Sequence, residues 1–307
     1  METESEHILD ATNTDNASHS YNRHTIQRRE IGTRTGNLIV SDNKQNEKPL
    51  LKISTHNIWN NVSYFQERLF AVIRALKKRE PDVACLVDVS TEAYNILEKN
   101  LDKHFISLQV FTAEGNPSGI VLLCNKKTIE IPEGSQPYYY DYPQGGRILG
   151  AEIQHIESNF KFHILATRLD DNPDNDHIRE QQCDIIYNVV KKIHNYILVG
   201  DINIYSRGER AEVKINKIMN DSWIKIQCPS ELRFTYNGKS NPLIRNNERI
   251  RNSRIYYKTK KSRLTPKAMS LICIGNISNE VKFPPSPYYG LEVIYQIKKD
   301  KNDKMIN

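Results

Sequence analysis

Two apolar runs constrain this chain more than any other feature: Asp82-Val83-Ala84-Cys85-Leu86-Val87 and Tyr196-Ile197-Leu198-Val199, the second ending in Gly200-Asp201. A short apolar run with no alternation reads as a strand covered on both faces. Each follows a helical pattern. Tyr64 to Arg79 puts Phe65, Leu69, Val72, Ile73 and Leu76 on one face, and Ile178 to His194 does the same with Ile185, Ile186, Val189, Val190 and Ile193. A buried strand beside an amphipathic helix needs a sheet with helices packed outside it.

The rest of the pattern agrees. Leu51 to Trp59 alternates like a strand, and Thr91 to Asn100 reads as a second helix with Tyr94 and Leu97 inward. Further strands are expected at Gly119 to Cys124, Ile148 to Ile153, Phe162 to Ala166, Arg254 to Tyr257 and Leu291 to Tyr295. There is no repeat at a short fixed period. The order predicts two stacked sheets flanked by helices, in one domain over residues 50–298. Residues 1–49 are rich in Asn, Thr, Ser and charge, too polar to offset the entropy of ordering, and are expected to be a flexible tail. Residues 299–307 read as a polar C-terminal tail.

Composition removes several classes. No 18-residue apolar span occurs, so no membrane helix is expected, and the acidic, polar stretch Met1 to Ala17 does not have the character of a secretory signal. The cysteines (Cys85, Cys124, Cys183, Cys228 and Cys273) are odd in number and scattered, with no CxxC pair. They suit a reduced compartment, cytoplasm or nucleus, and neither a zinc site nor a disulfide framework. The net charge is +6, unevenly spread: residues 251–267 hold Arg251, Arg254, Lys258, Lys260, Lys261, Arg263 and Lys267 with no acid, and Tyr256 and Tyr257 between them. Most charge runs are solvated loops; clustered cations are also what a phosphate backbone requires.

Six short segments then appear in order: Thr55-His56-Asn57-Ile58-Trp59, Pro81 to Val89, Thr167-Arg168-Leu169, Gly200-Asp201-Ile202-Asn203, Arg251-Asn252-Ser253-Arg254-Ile255, and Pro285-Ser286-Pro287-Tyr288-Tyr289-Gly290. Alone each is weak. Together this series resembles the endonuclease/exonuclease/phosphatase (EEP) superfamily, and within it the type 2 tyrosyl-DNA phosphodiesterases, over nearly all of the chain after residue 50. Asp221-Ser222-Trp223 and Phe234-Thr235-Tyr236 look like that branch's Asp-x-Trp and Tyr-Thr-Trp. The fold implied is the four-layered α/β, DNase I-like sandwich of two mixed sheets between helices.

The resemblance also implies a hydrolase of phosphodiesters that uses Mg²⁺, with Mn²⁺ as a substitute. By that likeness Asn57 orients the phosphate and joins the metal shell, Asp88 stands where the family has a metal-binding Glu, Asp201 activates water, and Asn203 donates to the phosphate. The departures matter more. Arg168 and Tyr288 occupy the two family His positions, Pro287 replaces the second His's carboxylate partner, and Ser253 replaces an Asp. Arg168 is a permanent cation and cannot exchange a proton near neutral pH. Losing one positioned acid or base costs about 10² to 10⁴ in rate. The expectation is therefore a catalytically impaired pseudoenzyme with weakened metal binding, retaining a cleft for nucleic acid or a phosphorylated ligand. Arg254, Lys258, Lys260, Lys261 and Trp223 are the candidate substrate contacts. Two rivals are an active Mg²⁺ phosphodiesterase or nuclease, and a scaffold whose surface binds a protein while its cleft is vestigial.

Overall fold

The computed structural model describes residues 48–111, 118–227 and 230–298. The two expected tails, save residues 48 and 49, and Cys228 lie outside these. In chain order the first half comprises β1 (Leu50–Asn57), α1 (Phe65–Arg79), β2 (Val83–Val89), α2 (Thr91–Leu101), β3 (Phe105–Phe111), β4 (Gly119–Asn125) and β5 (Ile129–Glu130). Then come β6 (Tyr138–Asp141), β7 (Arg147–His155), β8 (Phe160–Arg168), α3 (Asp176–Val190), β9 (Tyr196–Asp201) and α4 (Arg210–Ile218). The chain continues through β10 (Asn220–Asp221), α5 (Ser222–Ile226), β11 (Tyr236–Asn237), β12 (Arg249–Ile250), β13 (Ser253–Lys258), β14 (Leu264–Ile272) and β15 (Gly290–Ile297).

One sheet has the order β14-β15-β1-β2-β4-β3 and the other β10-β13-β9-β8-β7-β5, with β6 also on β7. Among the described residues only β1–β2 and β8–β9 are parallel pairs, and each is joined by a helical crossover. The two sheets thus repeat one plan: β1-α1-β2 in the first answers to β8-α3-β9 in the second.

Alternation sorts the layers. Leu51, Ile53, Val83, Cys85 and Val87 of one sheet meet Phe162, Ile164, Ala166, Ile197 and Val199 of the other in a shared inner core. The opposite faces pack outward. Ala84 and Leu86 lie under Leu69, Val72, Ile73 and Leu76 of α1, and Leu165 and Leu198 lie under Cys183, Ile186 and Val190 of α3. Helix, sheet, sheet, helix makes the four layers.

Two buried arginines shape the loops behind the parallel pairs. Arg68, the fourth residue of α1, donates to the backbone carbonyls of Ile58, Trp59, Asn61, Ser63 and Pro285 at 2.5–3.1 Å. Burial without a carboxylate lowers its pKa to about 10. Arg179, the fourth residue of α3, donates to the carbonyls of Asn172 and Pro173 at 2.6 and 3.1 Å and to Glu209 at 3.0 Å.

Candidate active site

Both parallel pairs end towards one rim, and their ends supply the candidate site: the last residues Asn57 of β1, Arg168 of β8 and Asp201 of β9, and Asp88, the last but one of β2. Ligands of open α/β sheets gather at such carboxyl ends. Strand alternation turns Asn57, Arg168 and Asp201 to the inner face, in step with Ile53, Ala166 and Val199.

Asp201 is 1 % exposed and its two carboxylate oxygens are both engaged. Asn57 Nδ2 donates to Oδ2 at 2.7 Å, and Ser253 Oγ donates to Oδ1 at 2.7 Å. Burial pushes the Asp201 carboxyl up, opposed by these two bonds and by the Arg168 cation. Asn57 Oδ1 is taken by the Trp59 N–H at 2.9 Å. Among the described residues no histidine bonds to Asp201.

Asp88 sits on an irregularity. The register of β2 against β4 shifts between Val87 and Val89, and Asp88 has φ 63°, in the left-handed region. Such a bulge re-aims a side chain away from the sheet. Its carboxylate accepts from Asn60 N–H at 3.0 Å, Ser118 Oγ at 2.6 Å and Arg168 Nη1 at 3.2 Å. Arg168 Nη2 also donates to Asp171 at 2.6 Å. Burial disfavours the guanidinium charge, but Asp88, Asp171 and Asp201 outweigh it and raise the Arg168 pKa.

Tyr288 completes the arrangement. Burial, then Asp201, raises its pKa, while Arg168 pulls the other way, so its phenol stays protonated and acts as a donor. Its ring packs against that of Tyr236, tilted by 44° with centroids 5.4 Å apart. His56 lies on the opposite face of β1 from Asn57, where its Nε2 is 3.0 Å from the Tyr288 carbonyl oxygen. Burial lowers its pKa to about 4, so this histidine is a neutral support for the Tyr288 segment and not a base in the cleft. His163 is likewise turned away, bonded to the Tyr138 hydroxyl at 3.0 Å.

A metal ion fits poorly here. Asp88 is engaged by two neutral donors and a guanidinium, and Asn57 by Asp201 and Trp59. Among the described residues no group of three or more His, Cys, Asp or Glu is arranged to hold a metal. A divalent cation at Asp88 would also meet Arg168 at contact distance, where like charges repel by about 2–8 kcal/mol at surface dielectrics.

The other candidate residues lie as follows. Asn203, read as a phosphate donor, gives its amide to the Leu169 carbonyl at 2.8 Å and accepts from Asn252 at 3.1 Å. Arg254 faces the helical layer, on the side opposite Ser253; it is buried against Glu212 at 3.1 Å. Lys258 pairs with Tyr196 whereas Ser253 pairs with Asp201, so five residues, about 17 Å of strand, separate it from the site. Lys260 and Lys261 lie beyond it in the turn towards β14, at the far end of the sheet. Trp223 packs half-buried on the inner core at the sheet edge.

The sequence reading missed Asp171, Tyr205, Asn60 and Ser118. Asp171 follows Arg168 by three positions, a visible signal for an ion pair; Tyr205 follows Asn203 by two, its hydroxyl donating to the Asp171 carbonyl. Burial, then Asp171, pushes Tyr205 up to about 12. Ser118 carried no signal. Beside Arg168 opens a cleft of about 300 Å³ lined in part by Ser118, Gly119, Gln144, Gly146, Arg147 and Asp171.

Two sheets in four layers, with the site at the rim shared by their parallel pairs, define an EEP (DNase I-like) fold. Solved structures of that fold match over most of the chain. TDP2 of D. rerio, in complex with single-strand DNA product, is 18 % identical with a TM-score of 0.68, covering 80 % of this chain and 99 % of that one. Truncated TDP2 of Caenorhabditis elegans is 16 % identical with a TM-score of 0.67, covering 80 % and 97 %. An endonuclease/exonuclease/phosphatase family protein of Bacteroides thetaiotaomicron is 12 % identical with a TM-score of 0.68, covering 82 % and 100 %. No sequence-family model and no curated protein matches the chain. No helix among the described residues is long and apolar enough to cross a membrane.

Proposed function

We propose that this chain binds nucleic acid through a phosphodiesterase fold whose hydrolytic centre no longer turns over, its cleft taking a strand-end phosphate on Arg168 and Tyr288. The observation that carries the reading is the Arg168–Asp88 pair. A guanidinium lies against the carboxylate that the EEP resemblance assigns to the metal, at a position the same resemblance assigns to a histidine. Such a group supplies a fixed positive charge and hydrogen-bond donors, and it cannot shuttle a proton. Tyr288, held protonated, offers a donor and no base, and the protonated Tyr205 hydroxyl is already given to the Asp171 carbonyl. The D. rerio TDP2 complex with single-strand DNA supports a nucleic-acid partner by likeness of fold.

The phosphate affinity of this cleft is modest. The bonds of Arg168 to Asp88 and Asp171 use two of the five N–H donors of a guanidinium, leaving the others for a ligand. Against that, Asp88, Asp171 and Asp201 surround one cation. One charge-assisted contact of about 1.5–3 kcal/mol gives no better than about millimolar binding. Contacts elsewhere must do the rest.

The test uses fluorescence anisotropy with 5′-phosphorylated and 5′-hydroxyl single-stranded oligonucleotides, with Mg²⁺ or with EDTA. The 5′-phosphate should be preferred, the preference should vanish in Arg168→Ala, and EDTA should not matter. Hydrolysis of a 5′-tyrosyl oligonucleotide should be undetectable. Turnover with Mg²⁺ or Mn²⁺ that Asp201→Ala abolishes would instead establish an active phosphodiesterase.

A further inference from the structure

At the edge of the second sheet, arginines and aromatic rings alternate in space although they come from three separate segments. The Arg249 guanidinium lies 4.9 Å from the centre of the Phe234 ring, and that of Arg233 lies 5.4 Å from the same ring. Arg233 is also 5.7 Å from the Trp223 ring, and Arg251 is 5.0 Å from it on its own account. The order is therefore Arg249, Phe234, Arg233, Trp223, Arg251.

The inner end of this ladder is explained by the fold. Arg251 is buried and bonded twice to Asp221, at 2.7 and 2.5 Å, which ties the start of β13 to β10. The outer end is not. Arg233 and Arg249 are exposed, and among the described residues their contacts are with rings and none is with a carboxylate. Two guanidinium groups drawn to one ring repel each other, and among the described residues no carboxylate is paired with either. An anion would offset that charge.

The position of the ladder selects the anion. Phe234 is two residues before Tyr236, about 7 Å along extended chain, and the Tyr236 ring packs at a tilt against Tyr288 of the cleft. Between them Thr235 is anchored, its hydroxyl accepting the Ser253 N–H at 3.1 Å and its carbonyl the Tyr289 N–H at 2.6 Å. Ring faces and planar cations thus run from the sheet edge to the cleft on a fixed strand. Aromatic and guanidinium planes together suit unpaired bases, which stack on them, while the charges meet the backbone. A merely acidic protein surface would need no rings.

We infer that Arg233, Phe234 and Arg249, with Trp223 behind them, form a stacking track for single-stranded nucleic acid leading to the Arg168 cleft. The inference rests on the cleft reading for the direction of the strand, and on its own geometry for the stacking.

Binding of an oligothymidylate, an abasic oligonucleotide of equal length and inorganic polyphosphate is measured by anisotropy over a salt series. The oligothymidylate should bind at least about five-fold more tightly than the abasic strand. Phe234→Ala should remove that difference, and Phe234→Tyr should keep it. The double change Arg233→Gln and Arg249→Gln should lower the salt slope by about 1.4, the value for two phosphate contacts on a single strand. In the wild type, 2-aminopurine in the strand should be quenched on binding, a readout that needs no variant to fold. Equal binding of thymidylate, abasic strand and polyphosphate, or an unquenched probe in a bound strand, overturns the track and assigns the surface to polyanions in general. The two readings separate cleanly. Base dependence without 5′-phosphate preference leaves the track and removes the cleft, and the converse removes the track alone.

Discussion

Arg168 Nη1 stands 3.2 Å from Asp88 Oδ1, an ion pair closed between residues 80 positions apart, at the rim where the parallel strands of both sheets end. The pair places an organic cation beside the carboxylate, and the same guanidinium reaches Asp171. Whatever this site binds must therefore meet a charge that neither leaves nor exchanges protons.

The first consequence concerns metal. Arg168→Ala leaves Asp88, Asp171 and Asp201 with no cation among them. Mn²⁺ or Mg²⁺ affinity, read by calorimetry, should then rise about tenfold or more over the wild type, since roughly 1.4 kcal/mol of relieved repulsion suffices. Equal metal affinity in the two proteins would show that the guanidinium does not compete for the site.

Arg254 should matter for folding and not for nucleic acid. It is buried between Glu212 at 3.1 Å and Asp221 at 3.9 Å. Arg254→Ala leaves Glu212 without its cation, while Asp221 keeps Arg251, and should cost about 3–5 kcal/mol in urea denaturation. Folded Arg254→Ala, assayed well below its melting point, should bind oligonucleotides as the wild type does. Weaker binding at unchanged stability would return Arg254 to the ligand.

The third prediction is a pH dependence. The pKa of His56 falls from 6.5 in the unfolded chain to about 4 in the buried native site. Above pH 6.5 both states are neutral and the histidine is neutral to stability. As pH drops from 6.5 to 4 the unfolded state binds the proton first, so stability is lost, by an amount on the order of 3 kcal/mol. His155 and His163 shift in the same direction, so the His56 share is the difference from His56→Gln. Identical stability profiles for both proteins between pH 7 and 4 would mean that His56 is protonated as readily folded as unfolded.

Gly200 has no tolerance for a side chain. Its φ is +130°, and a Cβ there would lie 2.0 Å from the Thr167 carbonyl oxygen on the neighbouring strand. Gly200→Ala must part β8 from β9 just where Arg168 and Asp201 begin. A loss of about 3 kcal/mol or more is expected, from the strained backbone alone and the clash besides. Near-normal stability in denaturant would mean the two strands can slide without cost.

What the sequence made legible was periodicity. The buried strands β2 and β9 and the face of α1 follow from apolar spacing and are found in the structure, whereas α3 ends four residues earlier than expected and buries Arg179, Gln182, Cys183, Ile186 and Val190, with Ile185 and Val189 only partly covered. β14 was hidden because Pro266 and three polar residues interrupt it; the proline sits at a register shift where no ladder bond is needed. The basic stretch was misjudged as one patch because charge was counted along the chain. Alternation in β13 sends Arg254 to the opposite face from Ser253, and strand length carries Lys258 away from the rim. Of the candidate site, the strand-end residues Asn57, Asp88, Arg168 and Asp201 were found through the family's motif order. Their partners Ser118 and Asn60 were not, since a hydrogen bond across 28 to 30 residues leaves no periodic trace. The arginine ladder was invisible for the same reason.

Arg68 and Arg179 hold the same place in their helices and grip backbone carbonyls in the loops that follow β1 and β8, Arg68 also reaching Pro285 ahead of Tyr288. A carbonyl is the same whichever residue carries it. The path of the chain through the rim is therefore set by oxygens that no substitution removes, while the side chains projecting from it are left unconstrained. Such a scaffold separates shape from chemistry: histidine and aspartate can give way to arginine, proline and tyrosine without the loops losing their course, and new chemistry could be written into them by the same route.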